Sequence, residues 1–436
     1  MSTKRSLFLF FSRIFLVLEA GLLVLSISPV NAGTGGLPVS VDNSRTKYFP
    51  PAALQGNTGS CDWFACAYYQ MTYMNNRALD RAADPTNTFS PKFGFNLVNN
   101  GKVFPENLWF MDVYDLLQAF GSPSIADLPY DLADGKHCDE WCTNAGLWTK
   151  AASWRIAGYE YLLFDLSRVK KLLVDGEVLV LQCNPWQCRL ETAKDLSGSK
   201  EDDPFVGESI IASGAPSPDH TICLVGYNDA IWIDRNGNGK SDPDELGAFK
   251  LAESAQGAGE KDGHRWISYG AASTILFENK VWRMKIRDSY KPRVLVQVTL
   301  NSPERGRLKM QFGRATNSDP DSILNSNFKF NPKALGFLPG RSGKSLIAGA
   351  DISFSGVPGP GNGSFVFDLT DLVTEKADRL DFWFFRLRND SKKKVKILSF
   401  KIIGAEKNMV IEDRKLPVSF SAGERTRVIR YHCTDQ

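Results

Sequence analysis

The chain has 436 residues, 43% of them hydrophobic and 23% charged, enough for two or three domains that each bury a core and too apolar for a disordered polymer. Its 52 basic and 49 acidic side chains leave a net charge of +3, so neither sign dominates the surface and no nucleic-acid partner is implied.

At the N-terminus, Lys4, Arg5 and Arg13 precede an apolar run from Ile14 to Ile27, and Val30-Asn31-Ala32 supplies the small residues of a signal-peptidase site. Residues 1–32 therefore read as a secretory leader, which predicts a secreted, periplasmic or cell-surface protein. Arg13 and Glu19 lie within or beside the apolar run and keep an uncleaved membrane anchor open as the alternative. Cleavage after Ala32 leaves only Gly33 to Ser60 ahead of Cys61, too short for a packed inhibitory prosegment.

Residues 33–60 are rich in Gly, Pro, Ser and Asn and read as extended chain. The first helix is predicted from Cys61 to about Asn76, where Phe64, Ala65, Tyr68, Tyr69, Met71 and Met74 fall mostly at helical spacing. A second is expected from Leu108 to Phe120, stopped by Gly121 and Pro123, and a third from 166 to 174, stopped by Asp175-Gly176. Val178 to Leu181 reads as a buried strand. Strands are also expected after His220, through Ile222, Leu224 and Val225, and at Ala248 to Leu251. Helices first and strands later predict an α+β architecture of two subdomains.

Near Ser289 to Pro292 the pattern changes. Val294, Val296, Val298 and Leu300 alternate with other residues at period two, and Leu308, Met310 and Phe312 repeat it. Further strands are expected at Phe365 to Leu369, Leu380 to Leu387 and Val395 to Ile403. This predicts an all-β sandwich or jelly roll over 289–436, with the boundary near 289. Its Phe382, Trp383, Phe384 and Phe385 either fill both faces of a strand or form an exposed face for a cell-surface or carbohydrate partner. Gly340 to Ser345 lacks the first glycine of a phosphate loop and reads as an ordinary loop.

Eight cysteines in an exported chain raise the question of disulfides. Cys138 with Cys142 and Cys183 with Cys188 could each close a small loop, or those four thiols with His137 could hold zinc, although neither spacing is a zinc-ribbon pattern. Cys66, Cys223 and Cys433 read as buried free thiols.

Cys61 stands where the first helix begins, and unpaired N–H groups at a helix start favour a thiolate. Upstream, Gln55-Gly56-Asn57-Thr58-Gly59-Ser60 offers glycines for a tight turn and an amide that could donate to an oxyanion. Among four histidines, His220 alone lies in an apolar, strand-like run, Asp219 to Tyr227. The stretch from Gln55 to Phe64 resembles the active-site entry of the papain family, Gln-Gly-x-x-Gly-Ser-Cys. His220 to Tyr227 resembles that family's His-x-x-x-x-x-Gly-Tyr strand.

By that resemblance, which covers about residues 38–287, Cys61 matches the nucleophile, His220 the imidazole partner and Gln55 the oxyanion amide. The implied fold is a two-lobed one, a helical lobe and a β-barrel-like lobe, over 33–288. Leu128-Pro129-Tyr130 and Trp266 to Tyr269 match further elements. The position of the family's orienting Asn is taken by Glu253, whose carboxylate can accept the histidine N–H, and Ala255 stands where a shielding Trp is usual. Asp62 replaces the aromatic after the nucleophile, and Thr58 replaces a cysteine that commonly forms a bridge.

Between His220 and Glu253, the run Asp234 to Glu245 matches the calcium-loop pattern D-x-[DN]-x-[DN]-G-x5-E at every defined position. It predicts a structural Ca2+ held by Asp234, Asn236, Asn238, the Lys240 carbonyl, Asp242 and Glu245, with Gly239 at the sharp turn. No cofactor is expected in catalysis. The sequence thus predicts an exported, monomeric papain-like cysteine peptidase acting on protein or peptide substrates. A papain-like fold used for binding remains the second reading, given Asp62, Glu253 and Ala255.

Overall fold

Nine strands between Ser40 and Ile286 share one sheet: β1 (Ser40–Asp42), β2 (Ile156–Leu163), β3 (Leu179–Cys183), β4 (Arg189–Lys194), β5 (Ser209–Ser213), β6 (His220–Ile233), β7 (Leu246–Ala252), β8 (His264–Ser268) and β9 (Lys280–Ile286). The computed structural model describes residues 36–105, 110–257, 260–315, 318–319, 352–372, 382–404 and 409–430. The leader, the Gly340 to Ser345 loop and Cys433 lie outside the described residues. Val39 to Gln436 cluster into one compact unit.

The sheet runs in the order β2-β9-β3-β6-β4-β5-β8-β7, and β7 also pairs with β6, so β6-β4-β5-β8-β7 close into a ring. Only β5 and β8 pair in parallel within it. Closure covers the free edge that β7 would otherwise expose, while β2 still pairs, among the described residues, on one side alone, with β9. The long strand β6 makes this possible, because its first half pairs with β3 and its far end with β4. Its burial is nearly continuous, as expected of a strand covered on both faces.

The predicted first helix is present and longer than expected, with an unusual middle: an α-turn α1 (Cys61–Trp63), a wider π-helical stretch (Phe64–Met71) and α2 (Thr72–Ala78). All eight residues of the π-helical stretch are buried, so helical periodicity alone understates how much of its circumference is covered. Helices α3 (Pro91–Val98) and α4 (Phe110–Phe120) pack against it, and α5 (Ala145–Ala152) packs on α4 and, through Trp148, on Phe93 of α3. Helix α6 (Leu166–Val174) has the expected bounds: the Asp165 side chain accepts the Arg168 N–H at its start, and Gly176, at φ 79°, ends it. A short α7 (Tyr269–Ile275) is capped by Ser268.

Beyond residue 289 the alternating segments form β10 (Val294–Ser302), β11 (Leu308–Ala315), β12 (Gly361–Asp368), β13 (Phe382–Asn389), β14 (Val395–Gly404), β15 (Met409–Glu412), β16 (Val418–Phe420) and β17 (Gly423–Arg430). They build two antiparallel sheets, β12-β10-β14-β15 with β16 on β14, and β11-β13-β17. Phe312 of β11 meets Phe367 of β12 at 4.8 Å between ring centroids, and Phe385 of β13 meets Phe400 of β14 at 5.6 Å, so apolar faces of the two sheets pack together. Trp383, Phe384 and Phe385 are buried, so these three aromatics fill both faces of β13, and Phe382 is partly exposed.

These sheets are not strung loosely behind the first one. Trp148 of α5 packs on Phe365 and Phe367, and Phe120 of α4 also reaches Phe367. Buried Arg155 binds Asp368 at 2.8 Å and Asp371 at 2.6 Å. Burying such aromatics is worth about 1.5–3 kcal/mol each, and a buried ion pair of this kind stabilises only while both partners stay. Among the described residues no helix is long and apolar enough to cross a membrane.

Candidate active site

Cys61 opens the first helical turn. The Trp63 and Phe64 N–H groups both turn back to the Ser60 carbonyl, at 3.0 and 3.1 Å. The preceding loop is fixed from three sides. Gly56 sits at φ +64°, where a Cβ would lie 2.3 Å from the Ala133 carbonyl oxygen, so this position demands glycine. Asn57 N–H donates to the Ala133 carbonyl and Gly59 N–H to the Val103 carbonyl. The Tyr130 hydroxyl reaches the Gln55 carbonyl at 2.7 Å and the hydroxyls of Thr58 and Ser60 at 2.8 and 2.9 Å. Thr58, which replaces a bridging cysteine, thus ties the loop with hydrogen bonds.

His220 is the first residue of β6, paired opposite Cys183 of β3, and is 2% exposed. Its Nε2 lies 2.6 Å from Glu253 Oε1. The Cys61 thiol is close enough to act on the ring's charge, and with Nε2 held by Glu253 it is Nδ1 that is left to face it. Burial would lower the imidazole pKa, but the charge and hydrogen bond of Glu253, together with the Cys61 side chain, outweigh it and raise it to about 10. Glu253 shows the converse. Burial would raise its pKa, yet His220 and Arg265 hold it down at about 2. The pair is therefore imidazolium and carboxylate across the physiological range.

The carboxylate is fully engaged. Oε1 also accepts the Ser254 and Ala255 N–H groups, at 2.8 and 3.0 Å, and Oε2 accepts Arg265 Nε at 2.8 Å. Ser254 then links the network to Gln55: its hydroxyl donates to Gln55 Oε1 at 2.7 Å, and Gln55 N–H donates to the Ser254 carbonyl at 2.7 Å. Gln55 Nε2 donates one hydrogen to the Thr58 carbonyl at 2.6 Å. An amide nitrogen carries two, so a second remains to be directed elsewhere. Of the four sequence-predicted residues, His220, Glu253 and Gln55 are thus joined in one hydrogen-bonded cluster through Ser254, and Cys61 stands beside the His220 ring.

Two departures from expectation are physical. Asp62 does not stand as a bare charge beside Cys61; its carboxylate accepts the Thr221 hydroxyl, and burial raises its pKa. The indole cover missing at Ala255 comes from another element. Trp186, in the turn Pro185–Gln187 after β3, packs edge-on to the His220 ring at 4.6 Å. Sequence reasoning missed Trp186, Arg265 and Ser254. For Arg265 the available signal was its place directly before the matched Trp266 to Tyr269 stretch, since an arginine carried into the interior there needs a partner.

The Asp234 to Glu245 loop joins β6 to β7, with Gly237 and Gly239 at φ 75° and 70°. Here the side chains bind one another. Asn236 and Asn238 Nδ2 donate to Asp242 Oδ2 at 2.7 and 2.9 Å, and Glu245, 2% exposed, accepts the N–H groups of Arg235 and Asn236 at 2.7 and 3.1 Å. Asp234 Oδ1 is buried and has no hydrogen-bond partner among the described residues. That orphaned acceptor, with the asparagine and carbonyl oxygens nearby in sequence, fits a hard cation in ligand type. The described residues nevertheless gather no cluster of three or more His, Cys, Asp or Glu able to hold a metal, whether here or at His137, Cys138 and Cys142. All seven described cysteines are free thiols, so neither short-range bridge is formed.

No family model and no curated protein matches the chain. Among solved structures it is similar to digestive procathepsin L2 proteinase from Tenebrio molitor larval midgut, at 18% identity over 58% of this chain and 69% of that one, with a TM-score of 0.38. It is also similar to the Amb a 11 cysteine protease, a ragweed pollen allergen, in its proform, at 15% identity over 59% of this chain and 69% of that one, with a TM-score of 0.40. A third is xylellain, a cysteine protease from Xylella fastidiosa, at 18% identity over 57% of this chain and 87% of that one, with a TM-score of 0.39.

Proposed function

We propose that the chain is a papain-like thiol peptidase. One observation carries this reading: Cys61 at a helix start stands beside an imidazole whose far nitrogen is held at 2.6 Å by a buried carboxylate. The Cys61 sulfur attacks a peptide carbonyl, forming the S–C bond and a tetrahedral oxyanion. The Cys61 N–H and the second Gln55 Nε2 hydrogen receive that oxyanion. As the C–N bond breaks, the His220 imidazolium gives its Nδ1 proton to the leaving amine. Water then enters, His220 takes its proton, and hydroxide attack releases the acid and the thiolate.

Glu253 keeps the imidazole oriented through both steps and favours its charged form, as an orienting carboxylate does in other nucleophile-histidine systems. Hydrolysis of fluorogenic peptides, blocked by an epoxysuccinyl inhibitor and abolished in Cys61→Ala, is the expected result. Hydrolysis that survives Cys61→Ala contradicts it. Absence of both hydrolysis and covalent labelling of Cys61 favours a fold used for binding.

Two further readings belong to the same proposal. The leader at 1–32 directs the chain out of the cytoplasm, which N-terminal sequencing of the mature protein tests. Ca2+ ties down the Asp234 to Glu245 loop through Asp234, Asn236, Asn238, the Lys240 carbonyl, Asp242 and Glu245. For that, the two asparagine side chains must turn their oxygens inward and Glu245 must release its backbone donors.

A further inference from the structure

A glutamate at the orienting position poses a problem that a neutral amide does not. Its charge is buried, and a carboxylate out of water either finds counter-charge or takes up a proton. Protonated, it could still accept one hydrogen bond but would no longer favour imidazolium. His220 alone is an insufficient guarantee of the charge, because the imidazole must lose its proton during each turnover.

The sheet supplies a second cation. In the β7–β8 register Leu251 faces Arg265, and Glu253 N–H donates to the Gly263 carbonyl at 2.8 Å, so Glu253 and Arg265 are diagonal neighbours on adjoining strands. Arg265 Nε approaches Glu253 Oε2 at 2.8 Å, and both side chains are 0% exposed. The guanidinium thus holds the oxygen that His220 does not, while the Ser254 and Ala255 N–H groups share the other.

We propose that Arg265 is a positioning residue of the active site: its buried guanidinium holds Glu253 ionised and in register throughout turnover, and so allows a glutamate to orient His220. Arg265 acts through Glu253, the carboxylate that its Nε binds. The inference rests on the peptidase reading of Cys61 and His220. Other ionisable groups in the neighbourhood are Asp62 and Cys61 toward His220, Cys183 and Cys188 toward Arg265, and Tyr69, whose hydroxyl donates to the Glu253 carbonyl at 2.9 Å. Cys183, Cys188 and Tyr69 are pushed up by burial and stay neutral, and Asp62 is turned to Thr221, which leaves Arg265 as the permanent counter-charge.

The test is a double-mutant cycle on the full chain with Arg265→Leu, Glu253→Asn and the pair together, melted from pH 2 to pH 7, with Arg265→Lys as the charge-preserving control. Each single variant should melt lower than the wild type, and the double variant should melt higher than Glu253→Asn alone, because it removes a stranded buried charge. In Arg265→Leu the acid-side loss of stability should begin at higher pH than in the wild type, a shift that Arg265→Lys reverses and the double variant lacks. Cys61 alkylation at pH 6 should fall about tenfold in Arg265→Leu, equivalent to one pH unit in the ion pair. Strictly additive melting shifts, or an acid limb that does not move, overturn the proposal. Should Arg265→Leu fail to fold, Glu253→Asn against the double variant decides alone. Melting is read without any peptidase activity, so failure of wild-type Cys61 to react sinks the catalytic reading and leaves the coupling of Arg265 to Glu253 to be judged separately.

Discussion

The Cys61 cluster and the Asp234 to Glu245 loop are opposite kinds of site. The first is assembled from five separate places in the chain, namely the Gln55 loop, the start of the first helix, the head of β6, the end of β7 and β8. Each polar group there is oriented by a group from a different element. The second is contiguous in sequence and has a ligand-like residue at every defined position, yet its side chains bind one another, and Asp234 Oδ1 is a buried acceptor with no hydrogen-bond partner among the described residues. Spacing along a chain specifies which atoms are available. Fold contacts decide which way those atoms point.

That contrast can be broken at several points. The largest effect belongs to the nucleophile and its partner: Cys61→Ala and His220→Ala should each abolish peptide hydrolysis, and Cys61→Ala should leave the melting temperature nearly unchanged, as calorimetry and a fluorogenic assay would record. Next comes the buried carboxylate. Glu253→Ala strands the charge of Arg265 and should cost roughly 3–5 kcal/mol of unfolding free energy. A loss below about 1 kcal/mol in denaturant titration would mean that the network is not the stabilising unit described.

The same pair sets a pH window. His220 is raised from 6.5 to about 10, so its contribution is complete below 6.5 and is lost as pH rises through about 10. Glu253 is lowered from 4.5 to about 2, so its contribution is complete above 4.5 and is lost as pH falls through about 2. Their joint contribution is therefore fullest between about 4.5 and 6.5, and Glu253→Gln should flatten the melting profile on both sides of that plateau. A profile identical to the wild type would contradict the coupling.

Smaller effects sharpen the other half of the comparison. Calcium at 100 times its dissociation constant should stabilise the chain by about 2.7 kcal/mol if the loop binds it as proposed, and melting curves superimposed in calcium and chelator would remove the site. Smallest is Trp186→Ala. Loss of an edge-on ring contact is worth about 0.5–1.5 kcal/mol, so a several-fold fall in kcat/KM with the fold intact is expected. An unchanged value would confine Trp186 to packing.

Local rules account for much of the fold. The stop at Asp175-Gly176, the strands after His220 and the period-two run from Val294 are legible in the order of residues, and they appear with nearly the expected bounds. Gln55, Cys61 and His220 stand out in the sequence because their chemistry is rare in such contexts. Whatever depends on a partner from a distant part of the chain is not legible there: the closing of β7 onto β6, the counter-charge of Arg265, the cover from Trp186 and the turning of Asp62 to Thr221. Ala255 resembles a missing shield only within its own stretch of sequence, since the covering indole is carried by the turn after β3.

The most direct measurement uses the chain's own thiols as controls. Cys61, Cys142 and Cys188 are all partly exposed, so access alone does not select among them. Brief treatment of the folded protein with iodoacetamide, followed by peptide mapping, should modify Cys61 at least about tenfold faster than Cys142 or Cys188, a margin of about 1.4 kcal/mol in the barrier. His220→Ala should erase that preference. Equal modification of the three thiols, or a preference that survives removal of the imidazole, would contradict the pairing of Cys61 with His220.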